Sequence, residues 1–290
     1  MQDKDKEQQL LMKILEEECR VETEKIVDYP PVALSLGEKL LKSNTGDQLL
    51  PVPIGTYGNF SFVQAPPKTK KTFFISLLAS AFLSGKNNHS GNIKGHRGDK
   101  CLLHFDTEQG KWHAQRVFRR TLDMADMNGS ENICYFTYGL RTLGYKTRIE
   151  FIEYCIKAKS NTGLVIIDGI ADLVGDVNDL QQSNDCVQKL MEWSAKNNCH
   201  IICVIHSNFG SDKPTGHLGS FLEKKCETQI QLEANTVNKE WVTVRCKRSR
   251  GYAFDTFSFE VNDIGLPQII GDLYDPLGKK NGRKTNAIAC

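Results

Sequence analysis

A mostly parallel α/β sheet, covered by helices on both faces and extended by antiparallel strands towards the C-terminus, is the fold class this sequence predicts. Three observations carry that prediction. From Pro51 onward, short apolar runs alternate with stretches of helical periodicity. The runs are continuously apolar rather than alternating, as in strands buried on both faces. After Cys226 the texture changes to strand-like pieces joined by polar turns such as Asn235-Thr236-Val237-Asn238.

Taken in order, residues 1–28 carry Leu10, Leu11, Ile14, Leu15 and Val21 at helical spacing, with 9 Asp/Glu against 5 Lys/Arg. They read as an acidic amphipathic helix. Tyr29-Pro30-Pro31 ends it, because proline excludes the preceding residue from the helical region. A short helix needs a tertiary partner, here either its own domain or a neighbouring subunit. Residues 29–50 then read as a linker, 51–275 as the core and 276–290 as a disordered basic tail. The core's expected strands are Asn59–Gln64, Cys101–Asp106, Asn132–Phe136, Gly163–Asp168 and His200–His206. Helical segments Lys71–Leu83, Lys111–Ala125, Lys146–Ala158 and Asn184–Lys196 lie between most of them. The polar insert Gly85–Asp99 reads as a surface loop. Glu227–Glu233, Trp241–Lys247 and Thr256–Val261 read as an antiparallel extension of the same sheet, and no repeats occur.

The 290 residues suffice for one large domain or two small ones, and 37 Lys+Arg against 35 Asp+Glu leave a net charge of +2. That balance excludes a histone-like polycation, so nucleic-acid binding would have to come from local basic patches. None of the ten cysteines forms a CxxC, and most sit in apolar runs, so they read as buried thiols rather than disulfides or a metal site. Cys199-His200 and Cys203 lie on a strand-like run whose side chains alternate between faces, which is poor geometry for zinc. The opening MQDKDKEQQ is not a signal peptide, and no apolar run approaches the roughly 18 residues of a membrane span. A reducing cytoplasm is the expected compartment.

The segment that carries chemistry is Ala65-Pro66-Pro67-Lys68-Thr69-Lys70-Lys71-Thr72-Phe73, a turn between an apolar strand and an apolar helix. This is the layout of a phosphate-binding loop, in which backbone N–H groups and a helix N-terminus cradle phosphates while a Lys and a Thr reach the phosphate oxygens and Mg²⁺. The pattern GxxxxGK[ST] is met in part, since Ala65 replaces the first glycine and Lys70 the second. Lys70 is either an extra cation for the phosphate site or the mark of a loop that binds without hydrolysis. Leu164–Asp168 is an apolar strand ending in a carboxylate where a nucleotide's Mg²⁺ would sit. Cys101–Gln109 delivers Glu108 to the same edge, and Ile201–Asn208 delivers His206, Ser207 and Asn208.

The order of these motifs resembles the RecA-like P-loop ATPase family over about residues 50–270, in the branch of DnaB- and RepA-type hexameric helicases and related mobile-element ATPases. The resemblance implies ATP and Mg²⁺ as ligands, with Lys71 and Thr72 on phosphates and Mg²⁺ and Asp168 holding Mg²⁺ through water. It implies Glu108 as general base and His206 as γ-phosphate sensor. Lys247, Arg248 and Arg250, within Val244–Gly251, match the position of residues that reach a neighbouring subunit's site, so it also implies a ring or filament, with a hexamer favoured. Single-stranded DNA would contact the loops Gly175–Asp185 and Phe209–Ser220. The second carries Phe209, Lys213 and His217; the first is acidic, with Asp176 and Asp179, and both also fit ordinary βα connections. Two function classes follow. One is an oligomeric helicase-like or loader-like ATPase in replication or mobilisation of a plasmid or mobile element. The other is an ATP-dependent scaffold or regulator that hydrolyses weakly and meets a protein partner through residues 1–28. A metabolic kinase fits the late antiparallel strands less well.

Overall fold

The computed structural model describes residues 2–41, 47–128, 134–208, 211–236 and 238–270, and the expected tail 276–290 lies outside them. Two compact units are present, Met1–Pro30 and Pro31–Cys290. The first consists of helix α1 (Gln2–Cys19) and an irregular segment, with Leu10, Leu11, Met12, Ile14 and Leu15 exposed. The helix stops nine residues before position 28, where it was expected to end. Val21, Thr23, Ile26 and Val27 are β-branched, and their restricted χ1 disfavours helix.

In the second unit the stretch read as a linker is a strand, β1 (Val32–Leu41), and it pairs antiparallel with β2 (Gln48–Thr56). Ala33, Leu34 and Leu36 are buried, so core packing starts well before residue 51. The insert read as a surface loop contributes β4 (Ile93–Gly95), which pairs with β1 and completes a three-stranded sheet ordered β2-β1-β4. Ile93 is fully buried there, and a Cβ on Gly95 would lie 2.2 Å from the Ala81 carbonyl, so only glycine permits this approach to the neighbouring helix.

The larger sheet follows the predicted alternation closely. Strands β3 (Phe60–Ala65), β5 (Cys101–Asp106), β6 (Tyr135–Gly139), β7 (Thr162–Asp168) and β8 (His200–His206) alternate with helices α2 (Lys71–Ser84), α3 (Lys111–Met124), α4 (Tyr145–Ala158) and α5 (Leu180–Lys196). Helix α6 (Gly216–Lys225) leads into β9 (Thr228–Ala234), β10 (Val242–Ser249), β11 (Phe257–Val261) and β12 (Pro267–Ile270). The order is β12-β11-β10-β9-β3-β8-β7-β5-β6. The antiparallel part starts at β10 rather than at residue 227, because β9 runs parallel to β3. Helix α6 is the crossover that makes this parallel return possible.

Alternate strand residues feed two apolar layers. Val63, Leu164, Ile166, Ile202 and Val204 pack in one core with Leu77, Leu78 and Phe82 of α2 and with Leu34 and Ile54 of the small sheet. Phe62, Phe105, Val165, Ile167 and Ile201 pack in the other with Ile152, Leu190 and Leu222 of α4, α5 and α6. Cys155, Cys186, Cys199, Cys203 and Cys226 are buried in this second layer, as the apolar runs predicted. Phe62 is wholly buried, so Phe62→Ala is expected to cost about 3–5 kcal/mol of unfolding free energy, measured by urea denaturation.

Candidate active site

Parallel pairing brings the chemistry to one edge. Ala65 at the end of β3 is level with His206 at the end of β8, and Asp168 at the end of β7 is level with both Val204 of β8 and Asp106 of β5. Carboxyl ends of neighbouring parallel strands form the crevice where ligands bind in open α/β sheets. A cleft of about 430 Å³ opens here, lined among others by Lys68, Lys71, Thr72, Glu108, Asp168 and His206. A larger cavity of about 600 Å³ lies between β1 and residues 253–256, away from these groups.

The loop 65–72 has the backbone shape its sequence disguises. Lys68 and Lys70 both hold left-handed conformations, with φ of 65° and 57°. That region costs an ordinary residue about 1–2 kcal/mol and is the usual province of glycine. The loop thus keeps a glycine-type path with lysines in place. Thr69 Oγ1 donates to the Pro66 carbonyl at 2.7 Å and pins the turn. Lys70 turns its ammonium to the β9–β10 hairpin, donating to the Glu240 carbonyl at 2.8 Å with the Glu240 carboxylate 3.5 Å away. Its side chain therefore braces the loop against that hairpin in this structure. Helix α2 opens at Lys71 with no acidic residue in its first turn, which leaves its N-terminal dipole free for an anion.

Lys71, His206 and Glu108 form a contiguous polar group. Lys71 Nζ lies 3.0 Å from His206 Nδ1, and His206 Nε2 lies 3.7 Å from Glu108 Oε1. An ammonium can only donate, so Nδ1 accepts and the ring proton sits on Nε2, facing Glu108. The His206 ring draws the Glu108 carboxyl below its usual value, against the opposing effect of burial. Burial lowers Lys71, while Asp168 and Glu108 act to keep it charged. Asp168 is buried and pushed up to about 7 by desolvation and by the neighbouring Asp106 and Glu108. Burial likewise raises Asp106.

Two buried carboxyl groups side by side with raised proton affinity are a setting that a divalent cation would relieve. Asp168, with the Thr72 hydroxyl on the first turn of α2, fits Mg²⁺, which takes one or two protein ligands and completes its shell with water and phosphate. Among the described residues no cluster of three or more His, Cys, Asp or Glu is built to hold a metal without a phosphate.

Several supporting residues were not singled out by the motifs. Asp106 Oδ1 accepts the backbone N–H groups of Glu108 at 3.1 Å and Gln109 at 2.7 Å, an Asx turn that aims Glu108 into the cleft. Its signal was a second strand-ending aspartate two residues before Glu108. Thr107 Oγ1 donates to Asp172 Oδ2 at 2.8 Å and accepts from Gly169 N at 2.9 Å, tying the ends of β5 and β7 together. A Cβ on Gly169 would lie 2.7 Å from Glu108 Oε1, so the Glu108 carboxylate occupies the space that glycine leaves. Trp112, exposed at the start of α3 with the Arg116 guanidinium 4.9 Å from its ring, stands three residues beyond Gln109 of the cleft.

Other expected site residues lie elsewhere. Arg248 pairs with Gln229, itself level with Phe62, so the β10 cations stand away from the chain's own phosphate loop. Arg248 approaches Glu223 at 4.0 Å, Arg250 donates to the Lys225 carbonyl at 2.7 Å, and Lys247 donates to the Asp212 carbonyl. Of the two loops expected to meet DNA, Gly175–Asp185 is largely the start of α5, and the Asp179 side chain caps that helix by accepting from Gln182 N at 2.9 Å. Phe209 lies outside the described residues, while Lys213 is exposed in the second loop.

Residues 52–212 match the family model described as an AAA domain, more than half of the chain. The chain belongs to the AAA domain family. The AAA domain seen here is similar in fold to the crystal structure of the RadB recombinase, with a TM-score of 0.53 and 17% identity, covering 74% of this chain and 92% of that one. No curated protein matches the sequence. The chain is thus a P-loop ATPase of RecA-like fold, with antiparallel strands towards its C-terminus that extend the sheet beyond β9. Among the described residues, no helix is long and apolar enough to cross a membrane. Because Lys70 is held left-handed, Lys70→Gly is expected to raise stability by about 1 kcal/mol in urea denaturation even though the Glu240 contact is lost, since that contact is exposed.

Proposed function

We propose that this chain is an oligomeric ATPase that works on single-stranded DNA as a helicase-like or loader-like protein, in replication or mobilisation of a plasmid or mobile element in the cytoplasm. The observation that carries the ATPase part is the convergence of Lys71, His206, Glu108 and Asp168 above a left-handed phosphate loop. Lys71 and the N-terminus of α2 hold the β- and γ-phosphates, while Lys68 adds charge at the rim. Glu108 takes the proton of the attacking water, its low pKa keeping it in the basic form, as the bond from the γ-phosphorus to the leaving ADP oxygen breaks. His206, bonded to Lys71 and facing Glu108, reads the presence of the γ-phosphate. When bound by Thr72 and Asp168, Mg²⁺ supplies neutralisation of the phosphate charge.

Lys247, Arg248 and Arg250 stand away from their own cleft and are placed in this reading at a neighbour's cleft, in a ring of DnaB/RepA type, a hexamer by preference. An arginine supplied by a neighbour is worth several orders of magnitude in rate. The DNA reading is supported by the fold shared with a protein named a recombinase and by exposed Lys213 in the loop after β8. A second reading, a weakly hydrolysing scaffold, is favoured by one observation, the exposed apolar residues of α1 as a docking face for a protein partner.

Purified protein is expected to hydrolyse ATP faster with single-stranded DNA, and Lys71→Ala and Glu108→Gln are each expected to lower turnover by at least about 100-fold. Binding without turnover, indifferent to DNA, would favour the scaffold. Gly169→Ala is expected to lower kcat with little change in KM, because its methyl group displaces the Glu108 carboxylate and leaves the phosphate loop untouched; an unchanged kcat would remove Glu108 from the base role.

A further inference from the structure

Three glutamines lie inside the sheet where apolar residues would pack more cheaply. Gln64 on β3 and Gln229 on β9 are wholly buried, and Gln231 on β9 is nearly so. Burying an amide is costly unless its hydrogen bonds are made, so a linked set of buried amides is explained by what it joins. Gln64 Nε2 donates to Ser207 Oγ at 3.0 Å and to the Asp212 carbonyl at 2.8 Å. Gln64 Oε1 accepts from Gln229 Nε2 at 2.7 Å, and the same nitrogen donates to Glu223 Oε1 at 2.9 Å. Reversing the Gln229 amide would set its oxygen against two acceptors, so its orientation is fixed.

At one end this network meets the cleft. Ser207 follows His206, and its N–H donates to the Ala65 carbonyl at 3.0 Å, at the root of the phosphate loop. At the other end it meets two β10 cations by separate branches. Lys247 donates to the Asp212 carbonyl that Gln64 also holds, and Arg248 faces the Glu223 carboxylate that Gln229 holds. Both branches pass through Gln64.

We propose that Gln64 is a positioning residue that sets Lys247 and Arg248 according to the occupancy of the cleft in the same chain. A shift of His206 on phosphate binding moves Ser207, Ser207 moves the Gln64 amide, and the amide carries the change to Asp212 and to Gln229. The inference rests on the nucleotide cleft and on the placement of the cations at a neighbour. It adds the link by which one subunit's nucleotide state would reach the next subunit's reaction.

The test is hydrogen exchange of the full chain, with and without a non-hydrolysable ATP analogue and Mg²⁺, in wild type and Gln64→Leu, alongside nucleotide affinity. In wild type, the analogue is expected to slow exchange at residues 65–72 and to change it at 245–251. In Q64L, affinity stays within about 2-fold and the 65–72 response persists, while the 245–251 response is lost. An unchanged 245–251 response in Q64L, or none in wild type when 65–72 responds, overturns the relay and leaves the cleft reading standing. No response at 65–72 in wild type overturns the cleft reading and the relay with it. Should Q64L not fold, Gln229→Leu cuts the Arg248 branch alone and is expected to reduce the 245–251 response; a full response there overturns the proposal.

Discussion

Parallel ladders between β3, β8, β7 and β5 stop at nearly the same level, and the cleft depends on that coincidence. Hydrogen bonding sets Ala65 beside His206 and Asp168 beside Asp106, so groups up to 141 residues apart share one edge. A slip of one residue in any pair would send a cleft side chain to the opposite face of the sheet, into one of the two apolar layers. The register is held firmly because both faces are buried. Val165 and Ile167 face one layer while Leu164 and Ile166 face the other, so no shifted pairing keeps both packed.

At that edge the protein crowds charges of both signs. Asp106, Asp168 and Glu108 line the cleft with Lys68, Lys70 and Lys71, and burial raises the proton affinity of the two aspartates. Folding tolerates this because Asp106 is satisfied by backbone N–H groups and Glu108 by His206. Paired buried aspartates are a setting that suits a cation, and the left-handed loop at a helix N-terminus beside them is one that suits an anion. The two settings come from different strand ends, the aspartates from β5 and β7 and the loop from β3.

Much of this was legible in the sequence because buried parallel strands write themselves as unbroken apolar runs. Cys101–Asp106 and His200–His206 agree with their predicted limits, and Lys71, Thr72, Glu108, Asp168 and His206 do meet. Strand β1 was hidden by its irregular pairing, with register shifts between Val32 and Glu38 and a left-handed Gly37, which blur the period-2 pattern. The three-residue β4 is too short to show any period. The phosphate loop was obscured for a different reason: lysine in place of glycine conceals a backbone that glycine would have announced. The glutamine network was invisible because its meaning lies in contacts such as Gln64 with Gln229, 165 positions apart.

Helix α2 has no free side. Every residue from Phe74 to Leu83 is buried, with the large sheet beneath it, the three-stranded sheet and α3 around it, and the Arg120 guanidinium bonded to the Thr72 carbonyl at 3.0 Å. A rod clamped on all sides neither tilts nor slides without opening a core. The helix that follows the loop is therefore an anvil, and movement at this edge falls to the strand-end segments beside it, held by side-chain hydrogen bonds such as those of Thr107 with Asp172 and of Gln64 with Ser207.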